Sequence, residues 1–460
     1  MHFDDTIAAI ATPLGEGGIG IVRVSGPAAQ PIGLKIITDM KRKPFPEIKE
    51  RVVYHGLVYD PDRQKPLDEV LFFYLKKPKS FTGEDTLEIQ AHGGMYLLSK
   101  ILELVLNNGA RLAEPGEFTQ RAFLNGRIDL VQAESIIDLI RAKTEKAHEL
   151  ALAQLTGKTT QTLAEIESEL YQILITIEAA LDFPEEGIPE IQKEQLLSQA
   201  SALHRKLVSL LEGIDEGRKL REGIRLVIVG RPNVGKSSLL NEMLQEERAI
   251  VTPIPGTTRD VIEAPLQLRG VPFWLIDTAG LRETEDLIEQ MGITKTEANI
   301  AQSDLILLMF DGSQPLTAED RQIIAKLKDR PVLAIINKTD LPQVVRKEDL
   351  PEFTSDRIIE ISLHSKSGLK ELQERIIALV GLGDLKLDDR PLLSRIRHKQ
   401  ALEKAVSALA EFISGLSLGR SEDLLAVDLR TCLDALGLIT GKNVSSEVIQ
   451  GIFAQFCIGK

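Results

Sequence analysis

The sequence predicts a multidomain α/β protein. An N-terminal α+β domain spans 1–120, and a helical bundle is split between 121–221 and 382–460. A doubly wound α/β domain at 222–381 is inserted between the two helical parts. Three observations predict this. Apolar strands alternate with helical stretches from about 222 to 380, the pattern of a mostly parallel sheet with helices on both faces. Helical periodicity dominates on either side of that segment. Short strand-like runs and glycine turns fill the first 120 residues.

The N-terminal strands are read from GIGIVRVSG (18–26), EVLFFYLKKP (69–78) and TLEIQAHGG (86–94), with a helix near 95–107. Such short runs bounded by turn residues suit a compact α+β domain. Beyond 120, Leu163, Ile166, Leu170, Ile173, Ile177 and Leu181 recur at steps of three and four, which places them on one helical face. The breaker DFPEEGIPE (182–190) ends that run, and Leu196, Leu203, Leu207, Leu210 and Ile214 begin another. Ala405, Leu409, Phe412 and Leu416 repeat the pattern after the inserted segment. Neither helical part looks able to bury its apolar face alone. The simplest architecture packs them as one bundle, which is tolerable because domain termini often lie close together.

Composition narrows the function classes. The longest apolar stretches, such as Leu305 to Phe310, are far shorter than the roughly 20 residues that cross a bilayer. The N-terminus MHFDDTIAAI has no basic stretch leading into an apolar core, so no secretory signal is readable. With two cysteines, Cys432 and Cys457, a disulfide framework is not the design and a reducing cytoplasm is the expected compartment. The net charge of −13 gives no support for a large nucleic-acid-binding surface. If RNA is a partner, a local basic patch must bind it. The seven histidines show no metal-ligand spacing.

Chemistry concentrates in the inserted domain. Residues 230–237, GRPNVGKS, follow the apolar strand LVIV. Gly230 and Gly235 let the backbone wrap a polyphosphate, with loop amides pointing inward at a helix start. Lys236 supplies a cation to the β- and γ-phosphates and Ser237 an oxygen to Mg²⁺. DTAG (277–280) ends a second strand, where Asp277 is placed like a metal-associated carboxylate and the Gly280 amide like a γ-phosphate donor. NKTD (337–340) ends a third. The Asp340 carboxylate, acceptor-only, takes both the ring N–H and the exocyclic amine of guanine. Adenine offers no such pair. Asn337 is placed to reach the base edge, and the stem of Lys338 to cover its face.

Between the first two motifs lies AIVTPIPGTTRD (249–260). Thr257 and Thr258 there are candidates for the switch that senses the γ-phosphate, with Thr258 the Mg²⁺ ligand. The expected nucleotide contacts are Asn233, Val234, Gly235, Lys236, Ser237 and Ser238 in the phosphate loop. Thr252, Pro253, Ile254, Pro255, Gly256, Thr257 and Thr258 follow, then Asp277, Thr278, Ala279 and Gly280. Asn337, Lys338, Thr339, Asp340 and Ser362 complete the set. The base-side turn reads Ser362-Leu363-His364 where a Ser-Ala turn is the usual pattern. Ras-like GTPases orient the attacking water with a glutamine after DTAG. Here Leu281 stands in its place and has no hydrogen-bonding group, so either catalysis comes from elsewhere or hydrolysis is very slow. Arg259, Arg282, Glu283, Glu285 and Glu289 are nearby candidates.

The whole chain resembles the MnmE (TrmE) family of tRNA-modification GTPases. The resemblance rests on ATPLGEGGIGIVRVSG (11–26), FTGEDTLEIQAHGG (81–94), EPGEFTQRAFLNGRIDLVQAE (114–134), GRPNVGKSS, GTTRD and the terminal CIGK (457–460). It implies a folate-binding-like N-terminal domain, a Ras-like phosphate-loop GTPase domain and a cytoplasmic homodimer. It also implies a complex with the FAD-dependent partner MnmG (GidA). The pair would install an aminomethyl or carboxymethylaminomethyl group on carbon 5 of the wobble uridine of certain tRNAs, using a 5-formyl- or methylene-tetrahydrofolate. The matching folate positions are Arg23, Glu88, Arg127 and Lys460. The family commonly has lysine at the position of Arg127.

The resemblance further implies K⁺-stimulated hydrolysis, with GTPase domains pairing across their nucleotide faces. Asn233 matches the side-chain K⁺ ligand, and Thr252, Ile254 and Thr257 match loop oxygens around the ion. Glu289 matches a glutamate that orients water, and Cys457 a cysteine tied to the modification chemistry. On position alone Cys457 reads equally as a small buried apolar residue. Cys432 reads as structural. A GTP-controlled RNA- or ribosome-binding switch without modification chemistry is the alternative function.

Overall fold

The computed structural model describes residues 4–60, 65–182, 190–246, 263–276, 300–382 and 391–460. The chain forms two compact units, Met1–Ile137 with Gly437–Lys460, and Asp138–Leu436.

The first unit is built on a seven-stranded sheet: β1 (Ile7–Ile10), β2 (Gly17–Ser25), β3 (Ile37–Thr38), β4 (Val53–Asp60), β5 (Lys65–Leu75), β6 (Thr86–Gly93) and β7 (Arg111–Leu112). The strand order is β3-β4-β5-β6-β2-β1-β7, antiparallel except for the β1–β7 pair. Alternation sets its two faces. Val22 and Val24 of β2, and Leu87, Ile89 and Ala91 of β6, join a core with Ile32 and Ile36 of helix Ala29–Ile36 and Leu98, Ile101 and Val105 of helix Met95–Asn107. The intervening residues Arg23 and Glu88 face the other side, directly opposite one another across the β2–β6 pair. Ile7 and Ala9 carry a smaller cluster with Ala113, Phe118 and Phe81.

The C-terminal end belongs to this unit. Helix Ser446–Phe453 packs on helix Glu117–Leu124, and Phe453 and Phe456 are buried. Residues 382–460, read from the sequence as one helical part, are therefore shared: Gly437–Lys460 lies with the N-terminal sheet. The rings of Phe123, Phe453 and Phe456 supply the reason, since they meet one another there.

The second unit holds the expected doubly wound domain. Six strands, β8 (Ile224–Val229), β9 (Glu263–Leu268), β10 (Val271–Ile276), β11 (Leu305–Asp311), β12 (Val332–Asn337) and β13 (Ile358–Glu360), take the order β13-β12-β11-β8-β10-β9. All pairs are parallel except β9–β10. All residues of β11 and β12 are buried, as central strands covered on both faces require. Leu307, Met309, Leu333 and Ile335 enter one core layer, and Ile306, Leu308, Phe310, Ala334 and Ile336 the other. The antiparallel edge strand β9 was not read from the sequence.

Helix Glu190–Glu212 packs along helix Ile396–Leu418, so helices from either side of the inserted domain share one bundle. The residues read as its apolar faces, from Leu163 to Ile177 and from Leu196 to Ile214, are buried, as are Ala405, Leu409, Phe412 and Leu416. Leu181 is the exception at 38% exposed. It stands at the last turn of helix Lys158–Asp182, beyond that packing. Among the described residues no helix is long and apolar enough to cross a membrane.

Candidate nucleotide site and N-terminal cationic cluster

The phosphate loop lies between β8 and helix Lys236–Glu246. Gly230 and Gly235 have φ of 150° and 109°. A Cβ at Gly230 would lie 2.5 Å from the Met309 carbonyl oxygen, and one at Gly235 2.4 Å from the Asn337 Nδ2. Only glycine fits either position. Asn233 also adopts a left-handed backbone, φ 63°, which asparagine tolerates better than most residues. Asn233, Ser237 and Ser238 are exposed, while Val234 is buried.

The Lys236 ammonium donates to the Gly230 and Arg231 carbonyls, both at 2.7 Å. Burial pushes its pKa down, and Glu319 opposes this. A polyphosphate in the loop would restore the lost charge stabilisation, so the ammonium is placed to gain from an anion. Arg231 is held at 2.8 Å by Asp320, which also caps helix Ala318–Lys326 through Thr317.

The base-side loops converge on the same place. Asn337 is buried; its Nδ2 donates to the Val234 carbonyl at 2.9 Å, and its Oδ1 accepts from the Leu363 amide at 3.3 Å. Its side chain is therefore a clamp between loops. Lys338, with φ 67°, pairs with the buried Asp311 at 2.6 Å. Burial raises the Asp311 pKa, but hydrogen bonds from Lys338 and Ser313 outweigh it and hold the carboxylate ionised below the usual range. Asp340 accepts the Ser362 hydroxyl at 2.5 Å, and this bond is the main cause of its lowered pKa. The Thr339 amide donates to the Ile361 carbonyl. The Ser-Leu-His turn thus keeps the buried Ser362 in a structural role, and His364 approaches Asp340 only to 4.0 Å.

Thr252, Pro253, Ile254, Pro255, Gly256, Thr257, Thr258, Asp277, Thr278, Ala279, Gly280 and Glu289 lie outside the described residues. So do Arg259, Leu281, Arg282, Glu283 and Glu285.

In the first unit, Arg23 Nε donates to Glu88 Oε1 at 2.8 Å, and Arg23 Nη1 reaches the Gly459 carbonyl at 3.4 Å. The Arg23 guanidinium lies 5.5 Å from the Phe81 ring centre and 5.7 Å from that of Phe118. Arg127 sits 5.2 Å from the same Phe81 ring and donates to the Phe81 carbonyl. Burial lowers the pKa of Lys460; nearby Arg23 adds to the shift and Glu88 opposes it. Arg23 and Arg127 therefore share the Phe81 ring, while Glu88 pairs with Arg23 and Lys460 lies near both Arg23 and Glu88, three cations to one carboxylate. Gly459 makes the last turn possible: its φ is 91° and a Cβ would lie 2.4 Å from the Ile10 carbonyl. Cys457 is exposed, against the small buried apolar reading, and Cys432 is buried with its thiol pKa pushed up to about 12.

Sequence reasoning missed what fixes this region. Arg121 is fully buried, and its guanidinium binds Asp5, Glu84 and Glu117. Glu84 also accepts from Ser25 at 2.8 Å. Glu117 and Arg121 lie in EPGEFTQRAF and Glu84 in FTGED, but nothing in their spacing revealed that they meet.

Residues 130–457 match the family model described as MnmE helical domain, and residues 6–127 the one described as GTP-binding protein TrmE N-terminus. The tRNA modification GTPase MnmE of Alkaliphilus metalliredigens is 45% identical over 461 residues, covering 100% of each chain. The chain belongs to the MnmE family of tRNA modification GTPases. MnmE of Thermoanaerobacter pseudethanolicus is 46% identical over 457 residues, 99% of each chain. MnmE of Geobacter metallireducens is 46% identical over 462 residues, 100% of each chain. This likeness runs through both units and leaves neither the phosphate loop nor the N-terminal cluster outside it.

Proposed function

We propose that this chain uses GTP hydrolysis to drive modification of the wobble uridine of certain tRNAs. It acts as a homodimer with the FAD-dependent partner MnmG (GidA) and installs an aminomethyl or carboxymethylaminomethyl group on carbon 5. The observation that carries the reading is Phe81 flanked by Arg23 and Arg127, with Glu88 and Lys460 gathered at Arg23. Three cations and an aromatic face suit a ligand that is both anionic and a flat heterocycle, as a tetrahydrofolate is. That group, when bound, would supply the one-carbon unit.

In the second unit the chain's own groups handle the nucleotide. Loop amides and Lys236 receive the phosphates, Ser237 and Thr258 offer oxygens to Mg²⁺, and Asp277 serves as a metal-associated carboxylate. Asp340 selects guanine. Asn233, Thr252, Ile254 and Thr257 form the K⁺ set, in place of the missing glutamine, and a cation there would stabilise charge developing between the phosphates. Glu289 orients water. Cys457, exposed beside Lys460, offers its thiol to the modification chemistry.

Reconstitution tests this directly. Chain, flavoprotein, unmodified tRNA, GTP, methylene-tetrahydrofolate and ammonium or glycine as the source of the amine should yield the modified uridine. Omitting the folate, or substituting Arg23→Ala, should abolish product while GTP turnover persists. Product formed equally well without folate would defeat the one-carbon assignment.

A further inference from the structure

We propose that one end of the N-terminal sheet is a docking surface for the RNA phosphate backbone. The inference rests on the tRNA reading above. Three turns meet at this end. β3 runs antiparallel to β4 toward its start, where Val53 pairs with Phe73 near the end of β5. The turn after β3 carries Lys41, Arg42 and Lys43, the turn before β4 carries Lys49 and Arg51, and the turn after β5 carries Lys76, Lys77 and Lys79. All eight are exposed. Within 39–51 and 76–79 the carboxylates are Asp39, Glu47 and Glu50, and Asp85 joins them by accepting from the Lys77 amide at 2.9 Å. Asp39 is taken up by the amides of Lys41 and Lys43, each at 2.8 Å. A positive excess of four thus sits in a chain whose net charge is −13.

Two further observations point to a ligand. None of the eight cations has an ion-pair partner among the described residues, whereas Arg23, Arg111 and Arg121 of the same unit are all paired. Arg42 and Arg51 also hold left-handed backbones, φ 61° and 58°. Such positions suit glycine or asparagine, and a residue kept there at a cost marks a candidate for function. The turns are firmly placed. Phe45 packs 5.5 Å from Tyr54 and 5.3 Å from Phe72, and the Arg51 amide donates to the Tyr74 carbonyl at 2.9 Å.

Fixed, unpaired cations spread over three turns match a polyanion with regularly spaced charge. The turn bearing Lys79 leads two residues on to Phe81, the ring between Arg23 and Arg127. A tRNA held on this end arrives beside the proposed one-carbon site. An acidic protein surface would have no such reason to lie there.

The test is binding of labelled unmodified tRNA to the full chain across a salt series. The triple variant Lys76→Glu, Lys77→Glu, Lys79→Glu is compared with the same three changed to Arg. The Glu variant should lose at least about tenfold in affinity, and its plot of log K against log salt should be shallower by about 2–3. The Arg variant should match wild type, and GTP turnover should be unchanged in both. Wild-type binding with unchanged affinity and slope in the Glu variant overturns the surface. Lost flavoprotein binding with intact tRNA binding also overturns it and assigns this end to a protein. A wild-type chain that binds no tRNA, alone or with the flavoprotein, removes the tRNA reading first and this surface with it.

Discussion

Asn337 holds Val234: the asparagine amide nitrogen donates to the valine carbonyl at 2.9 Å, joining the end of β12 to the phosphate loop. Asn337→Ala would leave that carbonyl without its buried donor, at a cost of about 1–3 kcal/mol. Because the clamp positions the loop and not one phosphate, GTP and GDP affinities should fall by similar factors. Calorimetric titration with both nucleotides checks this. Unchanged affinity for either would show that the clamp is idle.

Asp340 should decide the purine. On the proposed reading its carboxylate, fixed by Ser362, would accept from guanine's N–H groups. Asp340→Asn replaces an acceptor with a donor and should weaken GTP binding about 10- to 100-fold, the worth of a charge-assisted hydrogen bond. Xanthosine triphosphate, which carries a carbonyl where guanine has its amine, should gain. Competition binding of the two nucleotides reads the switch.

Acid should loosen the N-terminal unit through the Arg121 network. Burial raises the Asp5 and Glu117 pKa values, but hydrogen bonds from Arg111 and Arg121 outweigh it and hold both below their usual 3.8 and 4.5. The folded state therefore binds these protons less tightly than the unfolded chain. The stabilisation is complete above those usual values and is lost as pH falls through the lowered folded ones. Hydrogen exchange in β1 and β2 should accelerate in that window, and Glu117→Gln should flatten the dependence. Arg121→Ala, which removes the buried guanidinium shared by Asp5, Glu84 and Glu117, should cost about 3–5 kcal/mol at neutral pH.

Potassium offers a separate test of the proposed hydrolysis. GTP turnover should be faster in K⁺ than in Na⁺ at equal ionic strength, and Asn233→Ala should erase the difference. Equal wild-type rates would remove the K⁺ proposal and leave guanine selection untouched.

The phosphate loop was legible because its whole device is contiguous: a strand, two glycines, a lysine and a helix start in one short run. The doubly wound sheet was legible from its apolar strands. Asn337's clamp was not, because Val234 and Leu363 lie 103 and 26 residues away in sequence. Phe81 drew no reading of its own in the sequence, and only the fold brings its ring to Arg23 and Arg127. The split of 382–460 was hidden for a similar reason. A helix's periodicity reports which face is buried and not which unit buries it.

Nucleoside analysis of tRNA from cells lacking this protein tests the central claim most directly. The account predicts that the aminomethyl-type modification at carbon 5 of the wobble uridine disappears and returns with the wild-type chain but not with Arg23→Ala. Wobble uridines modified to the normal extent in the deleted cells would contradict it.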